Sequence, residues 1–208
     1  MSSASRTRDA IVYVVDDDES IREAISNLLE AVGLRSELFG STEDFLSSGR
    51  IATPSCLVLD VRLPGMTGVE FQLELLRRGM HIPIVFMTAH GDIPMVRKVM
   101  KAGAIEFLTK PFQKEELLSA IQQAFDSSEA KREQDAAKQL ARARFDTLSA
   151  REREVMRMMT AGMLTKQIAA DLNLSEITVK LHRRHVMDKM QAQSLAELVR
   201  MADRVTAS

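Results

Sequence analysis

Five short apolar runs alternate along the first 125 residues with stretches whose apolar side chains recur at helical spacing. This alternation restricts the fold more than any other feature of the chain. The runs are IVYVV (11–15), RSELF (35–39), CLVLD (56–60), IPIVFM (82–87) and IEFLT (105–109). Between them, Ile21, Ala24, Ile25, Leu28, Leu29 and Val32 mark one helix, and Val69, Phe71, Leu73, Leu75 and Leu76 another. Met95, Val96, Val99 and Met100 mark a third, Leu117, Leu118, Ile121 and Phe125 a fourth, and EDFLSS near 43–48 a shorter one. Breakers fall between the elements, at Gly33, Gly40, Pro54, Pro64-Gly65 and Gly103. Strands alternating with helices predict an α/β architecture, a doubly wound five-stranded parallel sheet.

The remainder of the 208 residues changes character, so two domains are expected. Residues 126–145, DSSEAKREQDAAKQLARARF, contain no Gly or Pro and pair opposite charges at helical spacing; they read as a solvated helix or as a flexible charged linker. From Leu148 onward every pattern is helical. Ser149 with Glu152 forms a capping box, Gly162 ends that helix, Thr165–Leu172 make a short one, Ser175 caps EITVKLHRRHVMDKM and Ser194 caps LAELVRMA. Charge divides in the same way: 13 Lys+Arg against 17 Asp+Glu over residues 1–125, but 12 against 8 over 141–208. A cation or basic surface suits the first part, and nucleic acid the second. A hydrophobic fraction of 45% excludes a disordered chain. No apolar run approaches the roughly 20 residues of a membrane span, and IVYVV is too short for a signal-peptide core. The lone Cys56 forms no intrachain disulfide and suits a reducing cytosol, and no Cys/His cluster has zinc spacing.

In doubly wound sheets chemistry collects at the carboxyl ends of the strands. The first run ends in Asp16, Asp17 and Asp18, the third in Asp60, the fourth in Thr88 and the fifth in Lys110-Pro111. Acids crowded at one edge repel each other unless a hard cation joins them, and Mg²⁺ is the natural candidate. A carboxylate beside Mg²⁺ can attack a phosphoryl group to form an acyl phosphate, whose oxygens the hydroxyl and ammonium can bind. Asp18 and Glu19 read as the first turn of the following helix.

VDDDES, LVLDVRLPGMTGVE, FMTAHGD and AIEFLTKPF, in this order and spacing, resemble the receiver domain of bacterial two-component response regulators over residues 11–125, a flavodoxin-like fold. The resemblance implies Asp60 as the phosphoacceptor, with Asp16, Asp17, Asp60 and the main-chain carbonyl of Arg62 around Mg²⁺. It also implies Thr88 as the switch hydroxyl, Lys110 as the phosphate-pairing cation across a cis Lys110–Pro111 bond, and Phe107 as the aromatic that swings with Thr88. His90 is expected at the pocket rim and His81 on a surface loop.

LSAREREV, KQIAADLNLS and TVKLHRRHVMDKM resemble the LuxR/FixJ-type helix-turn-helix output domain over about residues 145–206, and QSLAELVRMA is nearer the FixJ branch. On the helix after Ser175, Val179, Val186 and Met190 line one face, while Lys180, Leu181, Arg184 and Asp188 project on another. Lys and Arg one turn apart can enter a major groove. The resemblance implies Lys180, Leu181 and Arg184 as base contacts, with Thr165, Lys166, Thr178, Arg183 and His185 nearer the phosphate backbone. His182 and His185 are three apart but have no visible third metal ligand, which favours DNA or packing roles. Leu164-Thr165 precede Lys166, where family members often carry a small hydroxyl residue and Asn.

The expectation is therefore a receiver domain (1–125), a charged helical linker (126–144) that holds the domains apart, and a DNA-binding domain (145–208). The chain is expected to be a cytoplasmic transcription factor. Its binding to double-stranded promoter DNA would be switched by Mg²⁺-dependent phosphorylation of Asp60 by a sensor histidine kinase. Phosphorylation is expected to form a homodimer through the face near Met95, Lys98, Phe107 and Lys110. RNA polymerase is a further expected partner and a membrane is not. It is expected to hydrolyse its own aspartyl phosphate slowly rather than to turn over substrate. Two other readings compete. An aspartyl phosphohydrolase usually needs a second acid two residues after the nucleophile, where Arg62 stands; an adaptor would use its second domain to bind protein or RNA.

Overall fold

The structure, a computed structural model, describes residues 10–49, 54–89, 97, 100–101 and 103–206. The chain divides into a unit of residues 1–131 and a unit of residues 132–208. In the first, strands β1 (Ile11–Val15), β2 (Arg35–Phe39), β3 (Ser55–Asp60), β4 (Ile84–Thr88) and β5 (Glu106–Thr109) form one parallel sheet in the order β2-β1-β3-β4-β5. Strands β3 and β4 are buried at every position, as continuous apolar runs covered on both faces must be, whereas edge strand β2 is exposed or half-buried throughout.

Alternate side chains of the strands feed two cores. Val12, Val14, Val58, Val85 and Met87 pack on one face with Ile25 and Leu29 of α1 (Glu19–Ala31) and Leu117, Ile121 and Phe125 of α4 (Lys114–Asp146). Tyr13, Val15, Leu57, Leu59 and Phe86 pack on the other with Phe45 of α2 (Thr42–Ser47) and Phe71 and Leu75 of α3 (Gly68–Arg77). Phe45 meets Tyr13, Phe39 and Phe71 edge-on at centroid distances of 5.4, 5.3 and 5.7 Å, the geometry that sets a ring's positive edge on a neighbour's negative face. Helix starts follow their caps: Asp18 accepts from the Ser20 and Ile21 N–H groups of α1, and Thr67 with Glu70 makes a capping box on α3. Strand order reverses between β1 and β3, and the crevice at their carboxyl ends is the default ligand site of such a sheet. The expected helix marked by Met95, Val96 and Val99 lies outside the described residues, as do His90 and Lys98.

Helix α4 takes the helical alternative for residues 126–144, as a stretch without Gly or Pro allows, and the division between the units falls inside it. In the second unit its last turns join α5 (Ala150–Thr160), α6 (Thr165–Leu172), α7 (Glu176–Met190) and α8 (Leu195–Thr206). Ala141, Val155, Met156, Ile168, Val179, Val186, Met190, Leu198 and Met201 form its core, with Phe145 against it. Between α6 and α7, Asn173 takes the left-handed conformation (φ 51°), which asparagine tolerates better than most residues, and Ser175 then caps α7. No described helix is long and apolar enough to cross a membrane.

Candidate functional site

The sheet brings four strand ends together. Asp16 follows β1, Asp60 ends β3, Thr88 ends β4 and Lys110 follows β5, with Thr88 and Thr109 paired across the last two strands. Asp16, Asp60 and Thr88 are all buried. The Lys110 Nζ donates to Asp16 Oδ2 at 2.6 Å and to Asp60 Oδ2 at 2.8 Å. The remaining carboxylate oxygens are held by main chain: Asp18 N–H donates to Asp16 Oδ1 (3.0 Å) and Arg62 N–H to Asp60 Oδ1 (3.1 Å). Burial pushes the Asp16 carboxyl above its ordinary range, and its bonds to Lys110 and Asp18 only partly offset this. Burial would lower the Lys110 ammonium, but its bonds to Asp16 and Asp60 outweigh that and raise it.

Asp16, Asp17 and Asp60 each offer an oxygen within 4.8 Å of the others, the one such His/Cys/Asp/Glu group found among the described residues. All three donors are hard oxygens, and the Lys110 ammonium bonds two of them, Asp16 and Asp60. The residues fit a divalent, oxygen-loving cation such as Mg²⁺. Exposed Arg62 stands two residues after Asp60, with its N–H on that carboxylate. Phe107 is half-buried and packs against the core cluster that contains Tyr13 and Phe86. The Lys110–Pro111 peptide is cis, as the resemblance implies.

Two residues that shape the pocket have no local sequence signal. Arg22 Nη1 donates to the Asp16 carbonyl at 2.8 Å. Gly68 opens α3 against the strand end: a Cβ there would lie 2.5 Å from the Asp60 carbonyl oxygen, 3.0 Å from Phe86 Cε1 and 3.1 Å from the Val61 Cα. Two of these neighbours are main chain and cannot swing aside. Gly68→Ala is expected to cost about 1–3 kcal/mol of stability and to slow acetyl-phosphate labelling by displacing Asp60, checked by thermal melts beside labelling rates.

In the second unit, Val179, Val186 and Met190 of α7 are buried as expected, while Lys180, Leu181 and Arg184 are exposed. Lys166 is exposed, and Thr165, Thr178 and Arg183 are half-buried. The Thr178 hydroxyl lies 2.9 Å from the capping Ser175 Oγ. His182 is half-buried, with no hydrogen-bond partner for Nδ1 among the described residues. His185 faces Glu152 (Nδ1 to Oε1 3.6 Å) while its side chain stays 46% exposed.

Glu152 is more than a cap. Its Oε2 accepts from the Ser149 N–H at 2.8 Å and from Lys189 Nζ at 2.6 Å, tying the start of α5 to the end of α7. Burial would raise this carboxyl, but its bonds to Lys189 and Ser149 outweigh it and hold the group below the ordinary 4.5. A depressed carboxyl stabilises the fold above the unfolded-state value, and the contribution is lost as pH falls through the folded one. As pH falls through the ordinary 4.5 and below it, melts should show the wild type losing stability relative to Glu152→Gln; parallel curves would remove the coupling.

The chain matches the family "Response regulator receiver domain" over residues 12–122 and "Bacterial regulatory proteins, luxR family" over residues 146–202. It is 50% identical to Nodulation protein W of Bradyrhizobium diazoefficiens over 194 residues, 93% of this chain and 86% of that one. It is 42% identical to Transcriptional regulatory protein FixJ of Azorhizobium caulinodans over 192 residues, 92% of this chain and 90% of that one. A solved structure of the response regulator StyR superposes with a TM-score of 0.78 at 44% identity, covering 94% of this chain and 99% of that one.

Proposed function

Because this chain belongs to the two-component response regulators that join a receiver to a LuxR-type output domain, the FixJ type, we propose that phosphorylation of Asp60 switches its binding to promoter DNA. As a transcription regulator of a two-component system it takes its signal from a histidine kinase and delivers it to DNA. The observation that carries the reading is the Lys110 ammonium bridging Asp16 and Asp60 at 2.6 and 2.8 Å.

The Asp60 carboxylate attacks the phosphorus of the donor and becomes an acyl phosphate as the donor's bond breaks, P–N in a kinase phosphohistidine, which leaves as neutral imidazole after protonation, or P–O in acetyl phosphate, which leaves as acetate. Asp16, Asp17, Asp60 and the Arg62 carbonyl would hold Mg²⁺, which would supply positive charge to the phosphoryl oxygens. Lys110 exchanges its bond to the Asp60 carboxylate for one to a phosphoryl oxygen, and the Thr88 hydroxyl donates to another. Moving Thr88 inward opens space for Phe107. Only the arrangement in which both groups reach the phosphate gains from it, so the switch is a shift of population. The face that carries Phe107 and Lys110 then pairs with a second copy; Met95 and Lys98, assigned to the same face, lie outside the described residues. The dimer acts in the cytoplasm, sets two α7 helices on successive major-groove turns, and engages RNA polymerase. No acid stands two residues after Asp60, so the protein releases its own phosphate slowly and is not a turnover enzyme.

Footprinting on genomic fragments with and without acetyl phosphate and Mg²⁺ tests the reading. Protection that appears only with both, over two half-sites about 34 Å apart, is the expected result. Identical footprints under both conditions, or a lone half-site, would contradict the switch or the dimer respectively.

A further inference from the structure

Among the described residues, four large apolar side chains are more than half exposed: Ile177 (80%), Leu164 (69%), Leu140 (52%) and Leu181 (51%). Three of them belong to the helix-turn-helix. Ile177 is the most exposed of all, and it stands in the first turn of α7. Ile177, Leu181, Arg184 and Asp188 follow one another at helical spacing, so Ile177 extends by one turn the stripe that carries Leu181 and Arg184. The buried Val179, Val186 and Met190 fall on a different face. The first turn also carries two hydroxyls that bond each other and one carboxylate. Ser175 Oγ accepts from the Thr178 N–H at 3.1 Å and lies 2.9 Å from the Thr178 hydroxyl, and exposed Glu176 is an anion. Beside these polar groups, Ile177 gives the N-terminal end of α7 an exposed aliphatic surface.

We infer that Ile177 is a further specificity-determining residue, packing against the C5-methyl group of a thymine in the major groove. In the helix-turn-helix arrangement the N-terminal residues of the second helix reach the base edges. The thymine methyl is the one apolar group that the unmodified major groove presents there. Lys180 and Arg184, exposed on the next two turns, supply the charge that holds this helix on the duplex. The inference rests on the DNA-binding reading above.

The test isolates the methyl group. An operator is selected from random duplexes with the full-length chain in beryllofluoride and Mg²⁺, and each thymine is replaced singly by deoxyuridine. At one thymine or more, the wild type should lose affinity about fourfold, the loss of one buried methyl. Ile177→Ala should bind the thymine and uracil forms of that position equally while keeping the wild-type ratio at every other position. Ile177→Val should fall between. An Ile177→Ala protein with wild-type ratios throughout overturns the inference and leaves the side chain to a protein partner. A wild type indifferent to every uracil overturns it as well. A selection that enriches no sequence defeats the DNA-binding reading itself, an outcome distinct from either.

Discussion

Asp60→Asn accepts no phosphate: radiolabelled acetyl phosphate with Mg²⁺ should mark the wild type and leave this variant blank. The amide keeps the shape of the side chain, and its oxygen can still accept from the Arg62 N–H that Asp60 Oδ1 engages at 3.1 Å. It is uncharged and does not attack phosphorus. The fold should survive, because Lys110 keeps its 2.6 Å bond to Asp16. Chelation of Mg²⁺ in the wild type should have the same effect and be reversed by restoring the ion, since Asp16, Asp17 and Asp60 lie within 4.8 Å and would otherwise repel the incoming anion. Labelling of Asp60→Asn at the wild-type level would move the acceptor elsewhere.

Binding to a selected operator should fall about 10- to 100-fold in Lys180→Ala and in Arg184→Ala, by filter binding or anisotropy. Both residues are exposed one turn apart on α7. Arg184 sits 3.7 Å from Asp188, with the two side chains 80% and 66% exposed, a loose pair that releases the guanidinium to DNA at little cost. Neither substitution touches the core, so melts should be unchanged. A base contact shows its loss on the operator and much less on random duplex, with the salt dependence kept. A phosphate contact loses equally on both and flattens the salt slope by about one. Wild-type affinity removes the residue from the interface.

The strands and the acid cluster were legible in the sequence because their signals are local. An apolar run that ends in Asp, Thr or Lys announces both a strand and what it carries to the sheet edge. The buried stripe of α7 was legible for the same reason, since Val179, Val186 and Met190 repeat at helical spacing. Contacts made through space had no such mark. Gly68 reads as one more turn glycine until its Cβ position is set 2.5 Å from the Asp60 carbonyl. Glu152 satisfies the capping pattern with Ser149, which conceals that Lys189, 37 residues away, shares the same oxygen. Arg22 belongs to the polar side of an amphipathic helix by every local rule, yet it holds the main chain of Asp16. The linker's charges at helical spacing favour a helix, with a flexible coil as the alternative. Continuity with the packed turns at Ile121 and Phe125 gives the helix a nucleus that the segment alone lacks.

Helix α4 also determines where the chain can be cut. Leu117, Ile121 and Phe125 belong to one core, while Ala141 and Phe145 pack on the other. The matched luxR-family segment begins at residue 146, so a fragment taken from there lacks both Ala141 and Phe145. It also loses Arg144, which donates to the Met190 carbonyl at the end of α7 and to the Gln191 side chain. In such a fragment the C-terminal end of the recognition helix keeps its left-handed Gln191 cap but loses the Arg144 bonds, and a weaker DNA complex measured with it would include that loss. Cuts within about residues 126–132 leave both sets of apolar contacts whole.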